Sequence, residues 1–173
     1  MQQKIYSLDH LIPRIASHQQ AGECIVFTNG CFDLLHIGHV RYLEDAKKLG
    51  DRLVVGINSD RSVRGLSKGN SRPIIPDQQR AEIIAALGCV DYVIIFNEAD
   101  PLNLIKAIQP QILVKGGDWP PDRIVGRDFV EKQGGSVRII PLTPESSTTL
   151  IIQKILATHG VTPTVSGSAH VQS

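Results

Sequence analysis

The sequence predicts a doubly wound α/β fold, in which helices cover both faces of a five-stranded parallel sheet of the Rossmann-like kind. Five short apolar segments alternate with segments that have helical periodicity. Apolar runs such as VVGI and YVIIF are continuous instead of alternating, which is typical of strands covered on both faces. The 173-residue chain is 42% hydrophobic and 20% charged, so it can bury a core of ordinary size.

The strands and helices follow from these patterns in chain order. The predicted strands are ECIVFT (23–28), RLVVGINS (52–59), VDYVIIF (90–96), QILVKG (111–116) and SVRIIPL (136–142). Between them, apolar residues recur every three or four positions, which predicts helices. The predicted helices are YSLDHLIPRIASHQQAG (6–22), HVRYLEDAKKLG (39–50), DQQRAEIIAALG (77–88), DPLNLIKAIQ (100–109), DRIVGRDFVEKQGG (122–135) and SSTTLIIQKILATHG (146–160).

Individual residues mark the ends of several predicted helices. Pro13 should start or break the first helix, because proline has no backbone N–H to donate. Asp77 suits an N-cap and Gly88 suits a helix end. Asp100 and Pro101 suit the cap and the first turn of another helix. These signals support an alternating order of strands and helices.

Length and composition bound the domain organisation and the partners. We expect one domain over residues 1–159 with a leading helix within 1–22, and a disordered tail over 160–173, whose small polar residues bury little surface. The N-terminus lacks a signal-peptide core and no apolar run reaches the ~20 residues of a membrane span, so we expect a cytoplasmic protein without a membrane partner. A net charge of +1 argues against a nucleic-acid partner. Three cysteines without a repeated spacing favour reduced thiols.

Polar side chains and glycines follow four of the five predicted strands. In a parallel sheet these four loops lie at one edge, the edge where such folds bind ligands. The side chains are hydroxyl, amide and imidazole donors together with cations, and the glycines let a ligand approach the backbone. A polyphosphate is the natural partner of this set. Its members are Thr28, Asn29, His36, His39, Lys68, Arg72, Lys115, Ser147, Thr148 and Thr149.

Two histidines stand out in the loop after the first strand. His36 and His39 are three positions apart and share one face of a starting helix, with Gly38 between them. Two imidazole donors and free helix N–H groups can grip one phosphate. Alternatively, one histidine merely caps or packs. A zinc site with Cys31 is a further alternative, which the absence of an obvious fourth ligand disfavours.

Two sequence signatures together resemble the HxGH nucleotidyltransferase superfamily: His36-Ile37-Gly38-His39, and the Ser146–Thr149 run that opens the last helix. Within it, FTNGCFDLLHIGHVRYL, GINSDRSVRGLSKG, RPIIP, VKGGDW and STT resemble the adenylyltransferases of ADP-heptose synthesis, over about residues 24–157. The resemblance implies a single, stand-alone nucleotidyltransferase domain over 1–159. It implies transfer of AMP from ATP to heptose 1-phosphate, giving ADP-heptose and pyrophosphate for lipopolysaccharide core precursor synthesis. We also expect a homo-oligomer, most simply a dimer.

The resemblance and the loop chemistry together assign the site residues. His36 and His39 are the expected catalytic contacts of the α-phosphate, and Lys68 is expected to bridge the attacking phosphate and the α-phosphate. Mg²⁺ should accompany ATP and be held by phosphate oxygens and water, without a dedicated protein cage. Asp33, Arg72 and Arg80 are candidates for the acceptor or metal side. The expected nucleotide-binding residues are Thr28, Asn29, Gly30, Cys31, Phe32, Gly38, Lys115, Gly116, Gly117, Asp118, Trp119, Ser147, Thr148 and Thr149.

One departure from the family pattern keeps alternatives open. Cytidylyltransferase relatives carry Arg-Thr-Glu-Gly-Ile-Ser-Thr at the second signature, where this chain has Thr-Pro-Glu-Ser-Ser-Thr at 143–148. An arginine contact with the triphosphate must therefore come from elsewhere, such as Arg80 or Arg127, or be absent. The alternatives are a cytidylyltransferase acting on a small alcohol phosphate such as glycerol 3-phosphate, and an ATP-binding sensor without turnover. A sensor would not need both histidines and Lys68.

Overall fold

A computed structural model of the chain describes residues 4–65, 72–117, 120, 123–141 and 147–160. Five parallel strands form one sheet within these residues, in the order β3-β2-β1-β4-β5. The predicted parallel α/β fold is confirmed. None of the helices in the described ranges is long and apolar enough to cross a membrane. The strands are β1 (Ile25–Gly30), β2 (Arg52–Asn58), β3 (Tyr92–Phe96), β4 (Ile112–Gly116) and β5 (Ser136–Ile140).

Seven helices lie between or beside the strands of the described chain. All six predicted helices are among them, and the seventh, α3, is too short to have produced a periodic pattern. The last predicted helix but one begins five residues later than expected, because Gly126 adopts φ 88° and forms its N-cap. The helices are α1 (Leu8–Gln20), α2 (Ile37–Lys47), α3 (Asp60–Gly65), α4 (Asp77–Ala85), α5 (Leu102–Ile108), α6 (Arg127–Lys132) and α7 (Thr148–Thr158).

The first helix continues through Pro13, so the expected break is wrong. Leu11 and Ile15 on either side are 0% and 1% exposed, and their burial holds the helix against the sheet. The N–H that proline lacks would have bonded to the carbonyl of Asp9. Asp9 lies on the exposed side of the helix, where water can hydrate that carbonyl instead.

Two hydrophobic cores lie on opposite faces of the sheet, as a doubly wound fold requires. Along β1 the side chains alternate between them, since Ile25 and Phe27 belong to one core and Val26 to the other. Helices α1, α5 and α6 contribute to the first core, and α2 and α4 to the second. The inner strands of the sheet are therefore buried on both sides, which accounts for the continuous apolar runs in β2 and β3.

Strand β1 lies at the centre of the sheet. Its Thr28 is opposite Val55 of β2 and Val114 of β4. The chain runs outward from β1 to β2 and β3 on one side, and to β4 and β5 on the other. The strand order thus reverses between β1 and β4, and a ligand site is expected beyond their carboxyl ends.

Candidate active site

A cavity of about 630 Å³ opens beyond the carboxyl ends of β1, β2 and β4, at the point where the strand order reverses. Loops that follow the strands and the start of α7 form its wall. The described residues that line it are Asn29, Gly30, Cys31, Phe32, His36, Gly38, His39, Tyr42, Asn58, Arg72, Ala99, Asp100, Pro101, Lys115, Gly116, Arg123, Ile124, Val125, Ser147, Thr148 and Thr149.

The two histidines form the N-terminal cap of α2. His36 is the N-cap residue, and its Nδ1 atom accepts a hydrogen bond from the Gly38 N–H at 3.2 Å. In return the His39 Nδ1 atom faces the His36 N–H at 3.4 Å. The rings lie 3.9 Å apart between centroids, at an interplanar angle of 31°. Imidazole nitrogens here take the place that Ser, Thr, Asp or Asn oxygens usually take in a capping box.

This capping arrangement fixes the chemical character of both rings. A neutral imidazole has one N–H and one acceptor nitrogen, and in both rings the backbone N–H groups face the Nδ1 atom. The ring proton therefore lies on Nε2, and each histidine offers one N–H donor besides its capping contact. Both residues line the cavity, so the pair can supply two neutral donors to a bound anion.

Burial also keeps the pair neutral. It lowers the pKa of His39 to about 4, with a smaller effect from neighbouring His36. Burial lowers the pKa of His36 as well. The ring of Phe32 contacts His39 edge-on, with centroids 5.4 Å apart, and contributes to this apolar surrounding. Because protonation of Nδ1 would also break the capping contacts, the geometry and the pKa shifts favour the same neutral state.

The start of α7 forms another part of the wall. Ser147 is the N-cap, and its Oγ accepts a hydrogen bond from the Leu150 N–H at 3.1 Å. The Thr148 hydroxyl donates to the Leu34 carbonyl at 3.3 Å, which ties this helix to the loop after β1. Thr149 is exposed at the cavity. The first N–H groups of a helix have no intrahelical partners and attract anions, so this end of α7 suits phosphate oxygens.

Lys115 brings a positive charge to the boundary between β4 and β1. Its Nζ donates to the Asn29 Oδ1. Burial lowers the pKa of Lys115 to about 8. Arg72 and Arg123 add two more cations to the lining, in which Asp100 has the only carboxylate among the described residues. The charge of Arg72 is partly offset by Asp33 behind the wall, so Lys115 and Arg123 contribute most of the positive charge. The cavity is therefore electropositive, as a polyphosphate site requires.

Asp33 does not line the cavity, which corrects its expected role on the acceptor or metal side. It is 3% exposed, and its carboxylate accepts hydrogen bonds from the Ile74 and Ile75 N–H groups at 2.9–3.0 Å. The same carboxylate lies 2.9 Å from the Arg72 Nε. Asp33 thus anchors residues 72–75 to the loop after β1, and through Arg72 it holds a cation at the cavity wall.

Arg80 also has a structural position instead of the expected contact with a ligand. Its side chain is 0% exposed and hydrogen-bonds to the carbonyls of Cys31, Ile75 and Asn58, the last at 2.8 Å. It also pairs with the Asp60 carboxylate at 2.8 Å. The guanidinium therefore joins the loop after β1, the end of β2, the start of α3 and the segment before α4.

Other predicted residues are also displaced from the cavity. Thr28 is 0% exposed, and its hydroxyl is hydrogen-bonded to the Tyr42 hydroxyl at 2.6 Å, so its side chain does not line the cavity and its nucleotide contact stays a prediction. The Gly117 N–H donates to the Ile140 carbonyl outside the lining. Arg127, the other arginine considered for the triphosphate, pairs with Glu131 on the surface of α6.

Gly30 lines the cavity, but its missing side chain serves a different purpose from the one expected. A Cβ atom at this position would lie 3.1 Å from the Phe32 ring. Phe32 itself adopts φ 46°, which turns its ring back against the strand end. The glycine therefore makes room for the ring that packs on His39.

The loop after β3 was missed by the sequence reasoning. It contributes Ala99, Asp100 and Pro101 to the wall, yet it has no lysine, arginine or histidine to attract attention. Arg123 was also missed, because the segment DRIVG was assigned to a helix. Tyr42 could have been found, since it lies one turn after His39 on α2.

Several predicted residues lie outside the described ranges, namely Lys68, Asp118, Trp119 and Ser146, together with the tail from residue 161. Their roles stay predictions. Within the described ranges, no group of three or more His, Cys, Asp or Glu side chains is arranged to hold a metal ion. The zinc alternative with Cys31, His36 and His39 therefore has no support from this geometry.

Comparison with known proteins identifies the family. A family model described as cytidylyltransferase-like matches residues 27–154, a range that contains every described residue of the cavity lining. The chain belongs to the cytidylyltransferase-like family. It is accordingly a nucleotidyltransferase, and the resemblance to the HxGH superfamily is confirmed.

Curated relatives of this cytidylyltransferase-like chain include the bifunctional protein HldE of Geobacter metallireducens. It is 54% identical over 157 residues, which cover 91% of this chain and 32% of the relative. The bifunctional protein HldE of Syntrophotalea carbinolica is 57% identical over 138 residues, which cover 80% of this chain and 28% of the relative. The chain spans about a third of the length of these relatives.

Two solved structures are similar to the cytidylyltransferase-like chain. The lipopolysaccharide core biosynthesis protein from Thermoplasma volcanium has a TM-score of 0.60 and 33% identity, covering 72% of this chain and 100% of that one. Pantoate-beta-alanine ligase from Francisella tularensis, complexed with beta-gamma ATP and beta-alanine, has a TM-score of 0.53 and 18% identity. The match covers 82% of this chain and 68% of the ligase chain. The second likeness supports the fold alone.

Proposed function

We propose that this chain is an adenylyltransferase that transfers AMP from ATP to heptose 1-phosphate, giving ADP-heptose and pyrophosphate for lipopolysaccharide core precursors. The observation that carries the proposal is the His36–His39 pair, two neutral rings whose Nδ1 atoms cap α2 and whose Nε2–H groups remain as donors at the cavity. The similarity to proteins named HldE and to a lipopolysaccharide core biosynthesis protein supports this choice of acceptor.

The reaction needs positioning and charge stabilisation more than covalent help from the protein. An oxygen of the sugar phosphate attacks the α-phosphorus of ATP, and a new P–O bond forms. The bond from that phosphorus to the bridging oxygen breaks in line, and its electrons leave with pyrophosphate. Two Nε2–H donors from His36 and His39 stabilise the negative charge that develops on the α-phosphate oxygens.

The remaining phosphates belong at the start of α7, where the helix N–H groups and Thr149 favour anions. Mg²⁺ bound with ATP would neutralise part of the triphosphate charge. Among the described lining residues only Asp100 has a carboxylate, and its Oδ1 already accepts the Leu102 N–H at 2.9 Å. This donor set fits an ion held by phosphate oxygens and water.

A substrate matrix tests the proposal. Pyrophosphate release is measured with heptose 1-phosphate, glycerol 3-phosphate and phosphocholine, each with ATP and with CTP. We expect the fastest turnover with ATP and heptose 1-phosphate, because a site built for one base leaves its polar groups unpaired with another. Fastest turnover with CTP and an alcohol phosphate would establish the cytidylyltransferase alternative. ATP binding without pyrophosphate release under every condition would establish the sensor.

The proposal includes a cytoplasmic location, small-molecule substrates without nucleic acid, and a homo-oligomer, most simply a dimer. The oligomer prediction is tested by light scattering or sedimentation of the purified chain across a range of concentrations. A single species of monomer mass at all concentrations would overturn it.

A further inference from the structure

Lys115 has surroundings that are unusual for a lysine. It is the fourth of the five residues in β4, partly buried at the cavity wall, and its Nζ contacts the Oδ1 of Asn29. A partly desolvated ammonium ordinarily has a carboxylate partner, because an unpaired buried charge is costly. Asn29 supplies only a neutral amide oxygen.

The other groups around the cavity do not supply the missing negative charge. No described carboxylate lies within ion-pair distance of Lys115. From β5 it faces the hydrophobic residue Ile139, its register partner. The titratable and charged groups that share the cavity lining are Cys31, His36, His39, Tyr42, Arg72, Asp100 and Arg123. Only Asp100 is a carboxylate, and it accepts a hydrogen bond from the Leu102 N–H at the start of α5.

We propose that the ammonium group of Lys115 binds a phosphate group of the substrates. The inference rests on the proposed function, since it assigns a phosphate partner to one of the residues that were expected to bind the nucleotide. A substrate phosphate bound in the cavity would supply the negative charge that the described residues around Lys115 do not provide. The phosphate can belong to the nucleotide or to the sugar, and separate titrations distinguish the two sources.

Proton uptake follows from this assignment. Burial lowers the pKa of Lys115 to about 8 in the free protein, so the amine is neutral in most molecules above that pH. A bound phosphate favours the charged form and raises the pKa again. Binding must then take up a proton in alkaline solution, and affinity should fall by about tenfold between pH 7 and pH 9.

Calorimetry tests the proposal directly. ATP alone and heptose 1-phosphate alone are titrated into the wild-type chain at pH 7 and pH 9, in two buffers with different heats of ionisation. We expect the tenfold loss and the proton uptake for at least one ligand. Lys115→Met should bind that ligand weakly at both pH values, without proton uptake. Lys115→Arg should retain binding at pH 9 without proton uptake, because a guanidinium stays charged.

Two controls separate this role from a structural one. Lys106→Met removes an exposed lysine from α5 and should leave both titrations unchanged. Without ligand, the Lys115→Met variant should unfold at no lower temperature than the wild type, because methionine removes the cost of a desolvated charge.

The outcomes distinguish the two proposals. Unchanged affinity of Lys115→Met for both ligands, or binding by the wild type without proton uptake, would overturn the role of Lys115 even if pyrophosphate release proceeds normally. Absence of pyrophosphate release, with Lys115-dependent proton uptake on binding ATP, would overturn the proposed reaction and uphold the role of Lys115. Failure of the wild type to bind either ligand would overturn both.

Discussion

The rings of His36 and His39 stack with centroids 3.9 Å apart, and each turns its Nδ1 atom to a backbone N–H of the first turn of α2. Each imidazole thus closes a helix with one nitrogen and keeps the other for the cavity. A substitution at either position can affect both stability and catalysis, and a well-chosen one separates the two.

Asparagine at position 36 should make that separation. An asparagine side chain is among the best N-caps, so His36→Asn should unfold close to the wild type. It has no donor where Nε2 lies, and kcat should fall by about 10²-fold. His36→Ala should lose the same activity and about 1 kcal/mol of stability in addition. Pyrophosphate release and urea unfolding measure both quantities, and near-normal turnover of His36→Asn would remove this ring from catalysis.

Stability should depend on acidification through His39. Its pKa is lowered to about 4 in the folded chain, while an unfolded histidine binds a proton near pH 6.5. Between these values the unfolded state binds more protons, so the stability is complete above pH 6.5 and is lost as pH falls towards 4. Urea midpoints measured from pH 7 to pH 4.5 should fall less steeply for His39→Gln than for the wild type. Equal slopes would contradict the lowered pKa.

Arg80 and Arg127 provide a matched pair of arginines. Arg80→Met leaves three carbonyls and the Asp60 carboxylate without their buried donor, and should cost about 3–5 kcal/mol. Arg127→Met removes an exposed ion pair and should change stability by less than about 0.5 kcal/mol. Chemical unfolding of both variants gives the comparison. A stable Arg80→Met protein that loses only ATP affinity would restore Arg80 as a triphosphate contact.

Asp33→Asn distinguishes an anchoring carboxylate from a metal ligand. The amide keeps one oxygen for the Ile74 and Ile75 N–H groups but loses the charge that pairs with Arg72, so stability should fall by about 1–3 kcal/mol. The Mg²⁺ concentration that gives half-maximal activity should stay unchanged. A tenfold rise in this concentration would place Asp33 at the metal after all.

Lys68 should act in turnover more than in ATP binding. Lys68→Ala is expected to lower kcat while calorimetry shows nearly normal affinity for ATP, because its contact with the attacking phosphate requires both substrates. Lys106→Ala, on the exposed side of α5, is the matched control. A loss of ATP affinity equal to the loss of activity would place Lys68 in ground-state binding.

The elements that sequence reasoning predicted best are those in which local pattern and packing agree. The continuous apolar runs of β2 and β3 are buried on both faces, and both were found to within two residues. The expected break at Pro13 failed because the burial of Leu11 and Ile15 outweighs one missing hydrogen bond. Local propensity says nothing about such long-range contacts.

In the cavity, residue type predicted location only in part. The motif correctly brought His36, His39 and the start of α7 to one wall. It gave no sign that the side chains of Arg80 and Thr28 point into the protein. A sequence does not show whether a guanidinium binds carbonyl groups or a phosphate, or whether a hydroxyl bonds to a tyrosine or to a phosphate. Asp100 was missed as a lining residue because the sequence already explained it as a residue at the start of a helix, where its carboxylate accepts the Leu102 N–H.

The central position of β1 has a consequence for the order in which the molecule opens. Amide hydrogens of Val26, Phe27 and Thr28 lie between two neighbouring strands and should exchange with solvent among the slowest in the chain. The loop with both histidines begins at Cys31, directly after the end of this strand. Substrates therefore bind to a loop that is attached to the most stable strand of the sheet. This loop should lose little conformational entropy on binding.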